Sequence, residues 1–316
     1  MSAPSSTTAP GTITARTGFS VGPVAFRNPI LGASGCFGYG IEYAQLIDLA
    51  RIGGFVTKSL TVLPREGNAT PRIAETPAGM LNSIGLENCG LDVFLQKKVP
   101  LLEALDCGVL VNVAGANFDD YIEVVAKTQG CAGIDGFEIN VSCPNVKEGC
   151  MSIGTDPNQT RALLKLLRPL TKKPLVVKLS PNVTSVATIA TAAADQGADG
   201  LSLINTILGM AVDVEKRAPK VAMVTAGLSG PAIRPVAVRM CREVCQAVKG
   251  LPVIGMGGIT CVEDALEFFM VGCQAVQVGT FNYVDPTAIE RLPEQLVAWM
   301  DAHGVKTLSE IIGCVK

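Results

Sequence analysis

Residues 252–280 read Pro-Val-Ile-Gly-Met-Gly-Gly-Ile-Thr-Cys-Val-Glu-Asp-Ala-Leu-Glu-Phe-Phe-Met-Val-Gly-Cys-Gln-Ala-Val-Gln-Val-Gly-Thr. A short apolar run, Pro252–Met256, ends in the pair Gly257-Gly258. A helical stretch over Val262–Val271 follows, and Thr260-x-x-Glu263 has the spacing of a capping box. A second apolar run, Ala275–Gly279, then opens into Thr280. Short runs that are mostly apolar suit strands buried on both faces, and strands separated by helices suit a parallel sheet.

The same theme extends outward along the chain. Candidate strands lie at Pro29–Ala33, Gly54–Thr57, Gly108–Val113, Gly136–Val141, Leu175–Leu179 and Gly200–Ile204, which with the two above makes eight. Helix-like stretches lie between them, among them Pro157–Leu170, Val183–Gln196 and Pro231–Val248. Asp156 before Pro157 supplies an N-cap with proline in the first turn. Eight such units predict an α/β fold, a (β/α)₈ TIM barrel, in preference to an open doubly wound sheet. Residues 12–30, with Gly22-Pro23, predict a short N-terminal β-hairpin. Residues 1–18 have neither a basic start nor an apolar core and read as a flexible tail, leaving 19–316 as a single barrel domain.

Composition excludes several chemistries. Of 316 residues, 48% are hydrophobic and 17% charged, so the chain can build a large core. A net charge of −2 without a long basic run argues against a nucleic-acid surface. No apolar run reaches 18 residues, so no membrane span is expected. The one histidine, His303, precedes Gly304 at a predicted helix end, so multi-histidine metal sites are excluded. The eleven cysteines make no C-x-x-C pair, which speaks against iron–sulfur or zinc-ribbon spacing and for reduced thiols in the cytoplasm.

Nearly every predicted strand ends in a chemically capable residue. These are Ser34, Lys58, Asn112, Asn140, Lys178 and Asn205-Thr206, then Gly257-Gly258 and Gly279-Thr280. A closed barrel brings these ends to one face, where barrel active sites form. Glycine-rich ends leave backbone N–H groups open to a phosphate, and Gly227-Leu-Ser-Gly-Pro231 adds a third such element. The loop Asn140-Val-Ser-Cys-Pro-Asn145 places Cys143 just beyond the fourth strand, where a thiol with an ordinary pKa of about 8.5 can serve as a base. A lysine at a strand end, Lys58 or Lys178, also suits a Schiff-base aldolase.

That loop resembles the catalytic-loop signature of family 1 dihydroorotate dehydrogenases. In the same order the chain carries Ala33-Ser-Gly-Cys-Phe-Gly, Thr57-Lys-Ser, Gly79-Met-Leu-Asn-Ser-Ile-Gly-Leu-Glu-Asn, Val111-Asn-Val-Ala-Gly, Val177-Lys-Leu-Ser-Pro-Asn, Ile204-Asn-Thr and Gly227-Leu-Ser-Gly-Pro. Ile254-Gly-Met-Gly-Gly and Val278-Gly-Thr complete a likeness that spans roughly residues 20–315. Phe37-Gly-Tyr-Gly and Pro144-Asn-Val-Lys look most like the class 1B catalytic subunit.

The resemblance implies oxidation of dihydroorotate to orotate with hydride transfer to FMN, in pyrimidine (UMP) biosynthesis. It implies FMN phosphate on Gly230, Gly257, Gly258, Gly279 and Thr280, with Ser34, Lys58, Ser59, Asn112, Asn140, Lys178 and Ile204 around the rest. Substrate would meet Lys58, Asn82, Ile84, Gly85, Leu86, Asn140, Asn145, Asn205 and Thr206, and Cys143 would be the general base. Electrons would pass to NAD through a partner subunit carrying FAD and a 2Fe-2S cluster, around a homodimer core in a heterotetramer. Two departures stand out: Ala226 replaces a glycine of the family's Gly-Gly-Leu-Ser-Gly run, and Cys150 lies seven residues from Cys143. Relatives acting on dihydrouracil, or passing electrons to fumarate, share much of this pattern.

Overall fold

The computed structural model describes residues 10–142 and 153–315. Eight parallel strands close into a barrel: β1 (Ile30–Gly32), β2 (Gly54–Val56), β3 (Gly108–Val113), β4 (Gly136–Asn140), β5 (Leu175–Lys178), β6 (Gly200–Leu203), β7 (Val253–Met256) and β8 (Ala275–Val278). Each pairs with its neighbours in sequence, and β8 returns to β1. All eight predicted strands are present: Gly108–Val113 has the bounds read, and the other seven are one or two residues shorter. The expected (β/α)₈ barrel is the fold, and its ladder leaves no open edge.

Helices Phe118–Thr128, Pro157–Leu167, Val186–Ala194, Arg234–Ala247, Val262–Val271 and Ala288–Ala302 follow β3 to β8. Their apolar stripes pack on the outer faces of the strands, the usual second layer of this architecture. Between β1 and β2 there are only two 3₁₀ turns, Tyr43–Gln45 and Leu49–Arg51. Asp156 accepts a hydrogen bond from Asn158 N, as its N-cap reading requires. His303 caps the Ala288–Ala302 helix and stacks on Trp299 at 4.0 Å. No helix of the described residues is long and apolar enough to cross a membrane.

The predicted hairpin is present as Phe19–Val21 paired antiparallel with Val24–Phe26. It plugs the N-terminal end of the barrel. Val21 and Phe26 share one buried cluster with Leu31, Val56, Leu110, Val176 and Ile254. The plug fits because small residues face it: a Cβ on Gly108 would lie 2.5 Å from the Phe26 ring. Side chains two residues apart on a strand share a face, so each strand carries two inward levels. The lower level is apolar at Leu110, Val176 and Ala275, whereas the upper level is polar at Asn112, Lys178 and Gln277, all buried.

Three expectations need correction. Residues 1–18 are not all tail: Pro10–Thr17 form a helix, and residues 1–9 lie outside the described ones. The helix is held by docking. Arg16 donates to the Val305 and Lys306 carbonyls and pairs with Asp301 at 2.6 Å, while Ile13 is buried. The capping box is one residue later than read. Cys261 is the N-cap and Asp264, not Glu263, is the third helical residue that reaches back. Finally, a four-stranded antiparallel sheet was not foreseen. Its order is Ile207–Gly209, Ala226–Ser229, Gly79–Asn82, Ile73–Thr76, and it forms a wall beside the C-terminal end of the barrel.

Asp264 ties this region together. Its Oδ2 accepts from Thr260 N at 2.8 Å, Thr260 Oγ1 at 2.7 Å and Cys261 N at 3.3 Å, while Oδ1 accepts from Arg234. Burial alone would push the carboxyl up, but the Thr260 hydrogen bonds and the Arg234 charge outweigh it and hold it below the ordinary 3.8. A depressed carboxylate stabilises the fold above its unfolded pKa and loses that contribution as pH falls through the folded one. Asp264→Asn is therefore expected to cost about 1–3 kcal/mol at pH 7. In urea titrations the gap between wild type and variant should hold down to about pH 5 and narrow below pH 4. A gap that widens in acid would contradict this account.

Candidate functional site

A cavity of about 850 Å³ opens at the C-terminal end of the barrel, within the range that takes cofactor-sized ligands. The strand ends form its floor and the antiparallel sheet forms one wall, contributing Ile73, Met80, Asn82, Gly227 and Ser229. The wall requires glycine where backbones meet: a Cβ on Gly79, at φ 152°, would lie 2.0 Å from the Ser229 carbonyl oxygen.

The sequence-predicted residues converge on this space. Ser34, Lys58, Ser59, Asn140, Lys178, Ile204, Asn205 and Thr206 line it from the strand ends. Asn82, Ile84, Gly85 and Leu86 line it from the sheet and the loop that follows. Leu86 holds a left-handed backbone at φ 57°, beside Gly85 at φ 78°. Asn112 does not reach the lining. It is buried on the level of Lys178 and Gln277, engaged by its neighbours, donating to Glu138 at 2.6 Å and accepting from Asn140 at 3.4 Å. Cys143, Asn145 and Cys150 lie outside the described residues.

The three glycine elements meet at one end of the cavity. A Cβ on Gly258, at φ 75°, would lie 2.8 Å from the Gly230 carbonyl oxygen, so these two loops touch. Thr280 Oγ1 donates to Ser229 Oγ at 2.8 Å, which brings the end of β8 to the same place. Gly230, Gly257, Gly258, Gly279 and Thr280 all line the cavity. Backbone left bare by glycine, beside a 3₁₀ turn at Pro231–Ile233 that leads into the Arg234–Ala247 helix, forms a cradle suited to phosphate.

The opposite end carries cations and amides. Lys58 and Lys178 both line it, and the Lys178 ammonium lies 3.7 Å from Glu138 Oε2. A thiol, Cys36, lines the cavity; its enclosure pushes it above the ordinary value, although the Tyr283 hydroxyl and the two lysines act the other way. It therefore stays protonated at neutral pH. The sequence reading missed Gln277, which lines the cavity, and Glu138, which is buried beneath it. Gln277 Oε1 is buried with no hydrogen-bond partner among the described residues. The signal for Glu138 was a charged residue inside an otherwise apolar strand, two positions before Asn140.

Such a site has a phosphate cradle at one end, and lysines and amides at the other. It fits a flat, phosphate-bearing cofactor with a polar ring substrate beside it.

Comparison with known proteins places the chain in a family. The family model for dihydroorotate dehydrogenase matches residues 19–300. The chain is 50% identical over 297 residues to the dihydroorotate dehydrogenase B (NAD⁺) catalytic subunit of Geobacter sp. (strain M21), covering 94% of this chain and 97% of that one. It is 48% identical over 296 residues to the protein of the same name from Thermoanaerobacter sp. (strain X514), again covering 94% and 97%. The crystal structure of the Eimeria tenella enzyme in complex with ferulenol superposes with a TM-score of 0.78 at 23% identity, covering 94% of this chain and 88% of that one, and supports the fold. With a family model spanning most of its length and relatives at half identity, this chain belongs to the dihydroorotate dehydrogenase family.

Proposed function

We propose that the protein is the catalytic subunit of a class 1B dihydroorotate dehydrogenase. It oxidises dihydroorotate to orotate with FMN, in pyrimidine biosynthesis, and passes the electrons to NAD through a partner subunit. The observation that carries this reading is the joining of a glycine cradle and a lysine–asparagine cluster in one cavity, in a chain of this family.

The residues present fit FMN. Gly230, Gly257, Gly258, Gly279 and Thr280 would hold its phosphate through bare backbone N–H groups, and the lining residues Lys178 and Gln277 would offer a cation and an unpartnered amide carbonyl to its ring. When bound, FMN supplies a hydride acceptor for the substrate carbon C6. Lys58, Asn82, Asn140, Asn205 and Thr206 present donors to the carboxylate and carbonyl edges of dihydroorotate and hold the ring flat in the cavity. Asn145 joins this set by its place in the loop sequence. Cys143 follows Ser142, whose hydroxyl donates to Asn140 Oδ1 at 2.7 Å at the end of β4. As general base, Cys143 takes the C5 proton while C5=C6 forms.

The catalytic subunit's partner carries FAD and a 2Fe-2S cluster, and two copies of this chain form the core of the assembly. The nine described cysteines are all free thiols, which supports a cytoplasmic setting.

The purified protein is expected to be yellow and to bleach when dihydroorotate is added without oxygen; a colourless protein that FMN does not restore would overturn the reading. Cys143→Ser should leave FMN bound and slow its reduction by dihydroorotate about 10²–10⁴-fold, measured by stopped-flow absorbance. Lys58→Ala should both weaken orotate binding, read from perturbation of the visible spectrum, and slow reduction. An effect on neither would remove Lys58 from the site.

A further inference from the structure

Glu138 is wholly buried in the barrel interior, on the level just below the cavity. Three donors point at its carboxylate. Asn112 Nδ2 lies 2.6 Å from Oε2, and Ser202 Oγ and Gln277 Nε2 each lie 2.8 Å from Oε1. The Lys178 ammonium stands 3.7 Å from Oε2. Burying a charge here costs desolvation that an apolar residue would avoid, as the level beneath shows. A carboxylate on this level therefore needs a reason beyond packing.

The reason lies in direction. A carboxylate only accepts hydrogen bonds, whereas an amide has a donating and an accepting end. Glu138 thus forces Asn112 and Gln277 to turn their NH₂ groups inward and their carbonyls away. The Asn112 carbonyl accepts from Asn140 Nδ2 at 3.4 Å. The Asn140 carbonyl in turn accepts from Ser142 Oγ at 2.7 Å, and Ser142 Oγ accepts from Asn205 Nδ2 at 2.6 Å. The chain runs one way, from Asn205 at the mouth to the buried anion. On the other side, Gln277 lines the cavity, and its carbonyl is buried without a partner among the described residues.

We infer that Glu138 is a positioning residue for the site. It holds the Lys178 ammonium at the cavity floor, partly neutralises it, and sets the polarity of every amide between itself and the mouth. The inference rests on the proposed reading that FMN and dihydroorotate occupy this cavity.

The test is the midpoint potential of the bound flavin, which a merely structural contact would not move in a set direction. Glu138→Gln keeps the side-chain shape and removes the charge. Lys178 then acts uncompensated on the negative charge of the reduced ring. The equilibrium constant for reduction should rise about tenfold or more, a positive shift of at least about 30 mV for a two-electron couple. In a Lys178→Met background, reconstituted with excess FMN, the same substitution should shift the potential by much less. An unchanged or more negative potential in Glu138→Gln, or equal shifts in both backgrounds, would overturn the inference.

Where Glu138→Gln does not fold, Glu138→Asp retracts the charge from Nζ. It should give a smaller shift of the same sign, and no shift there would also overturn the proposal. A wild-type protein that binds no flavin sinks the cofactor reading, and this inference with it. A yellow wild type whose potential ignores residue 138 sinks this inference alone.

Discussion

Closure of the barrel governs everything else in this protein. Eight parallel strands joined in a ring have no free edge, and their C-terminal ends must emerge together. Residues separated by up to 246 positions, from Ser34 to Thr280, meet in one cavity for that reason alone. The ring also fixes what the interior can hold. It is too narrow for a pore, so inward side chains fill it in levels, and the change from apolar to polar between levels is where fold becomes site.

The polar level shows how a buried charge organises its surroundings. Asn112, Gln277, Ser202 and Lys178 come from four different strands, and one carboxylate on a fifth engages them all. Each partner is tethered by its own strand, so little freedom is lost in forming the cluster. Low dielectric strengthens such bonds and also makes any missing partner costly.

Much of this was legible in the sequence. A run such as Val253–Met256 is apolar without alternation, as suits a strand covered on both sides, and the polar or glycine residues at the strand ends marked the functional face. What escaped notice lacked periodicity or depended on distant contacts. The wall strands Gly79–Asn82 and Ala226–Ser229 are four residues each and hold one glycine apiece, too short for a local pattern to mark them; a close backbone approach at Gly79 accompanies their pairing. The Pro10–Thr17 helix has small and β-branched residues of modest propensity, and contacts of Arg16 with the C-terminal region hold it in place. The capping box slipped by one because cysteine is an unusual N-cap, while Thr260 mimics a cap by bonding the same Asp264 carboxylate. Asn112 was assigned to the lining because its strand end points there; its neighbours engage it, as a link rather than a contact.

The hairpin at the bottom has a consequence for traffic. With Val21 and Phe26 wedged into the lower end of the barrel, that end is a stopper. A molecule lying on the floor formed by Lys178 and Gln277 can leave only by the route it came in. Incoming and outgoing ring compounds must then take turns, and an accumulating product obstructs the very entrance its precursor needs. Flow through such a vessel is paced by emptying as much as by reaction.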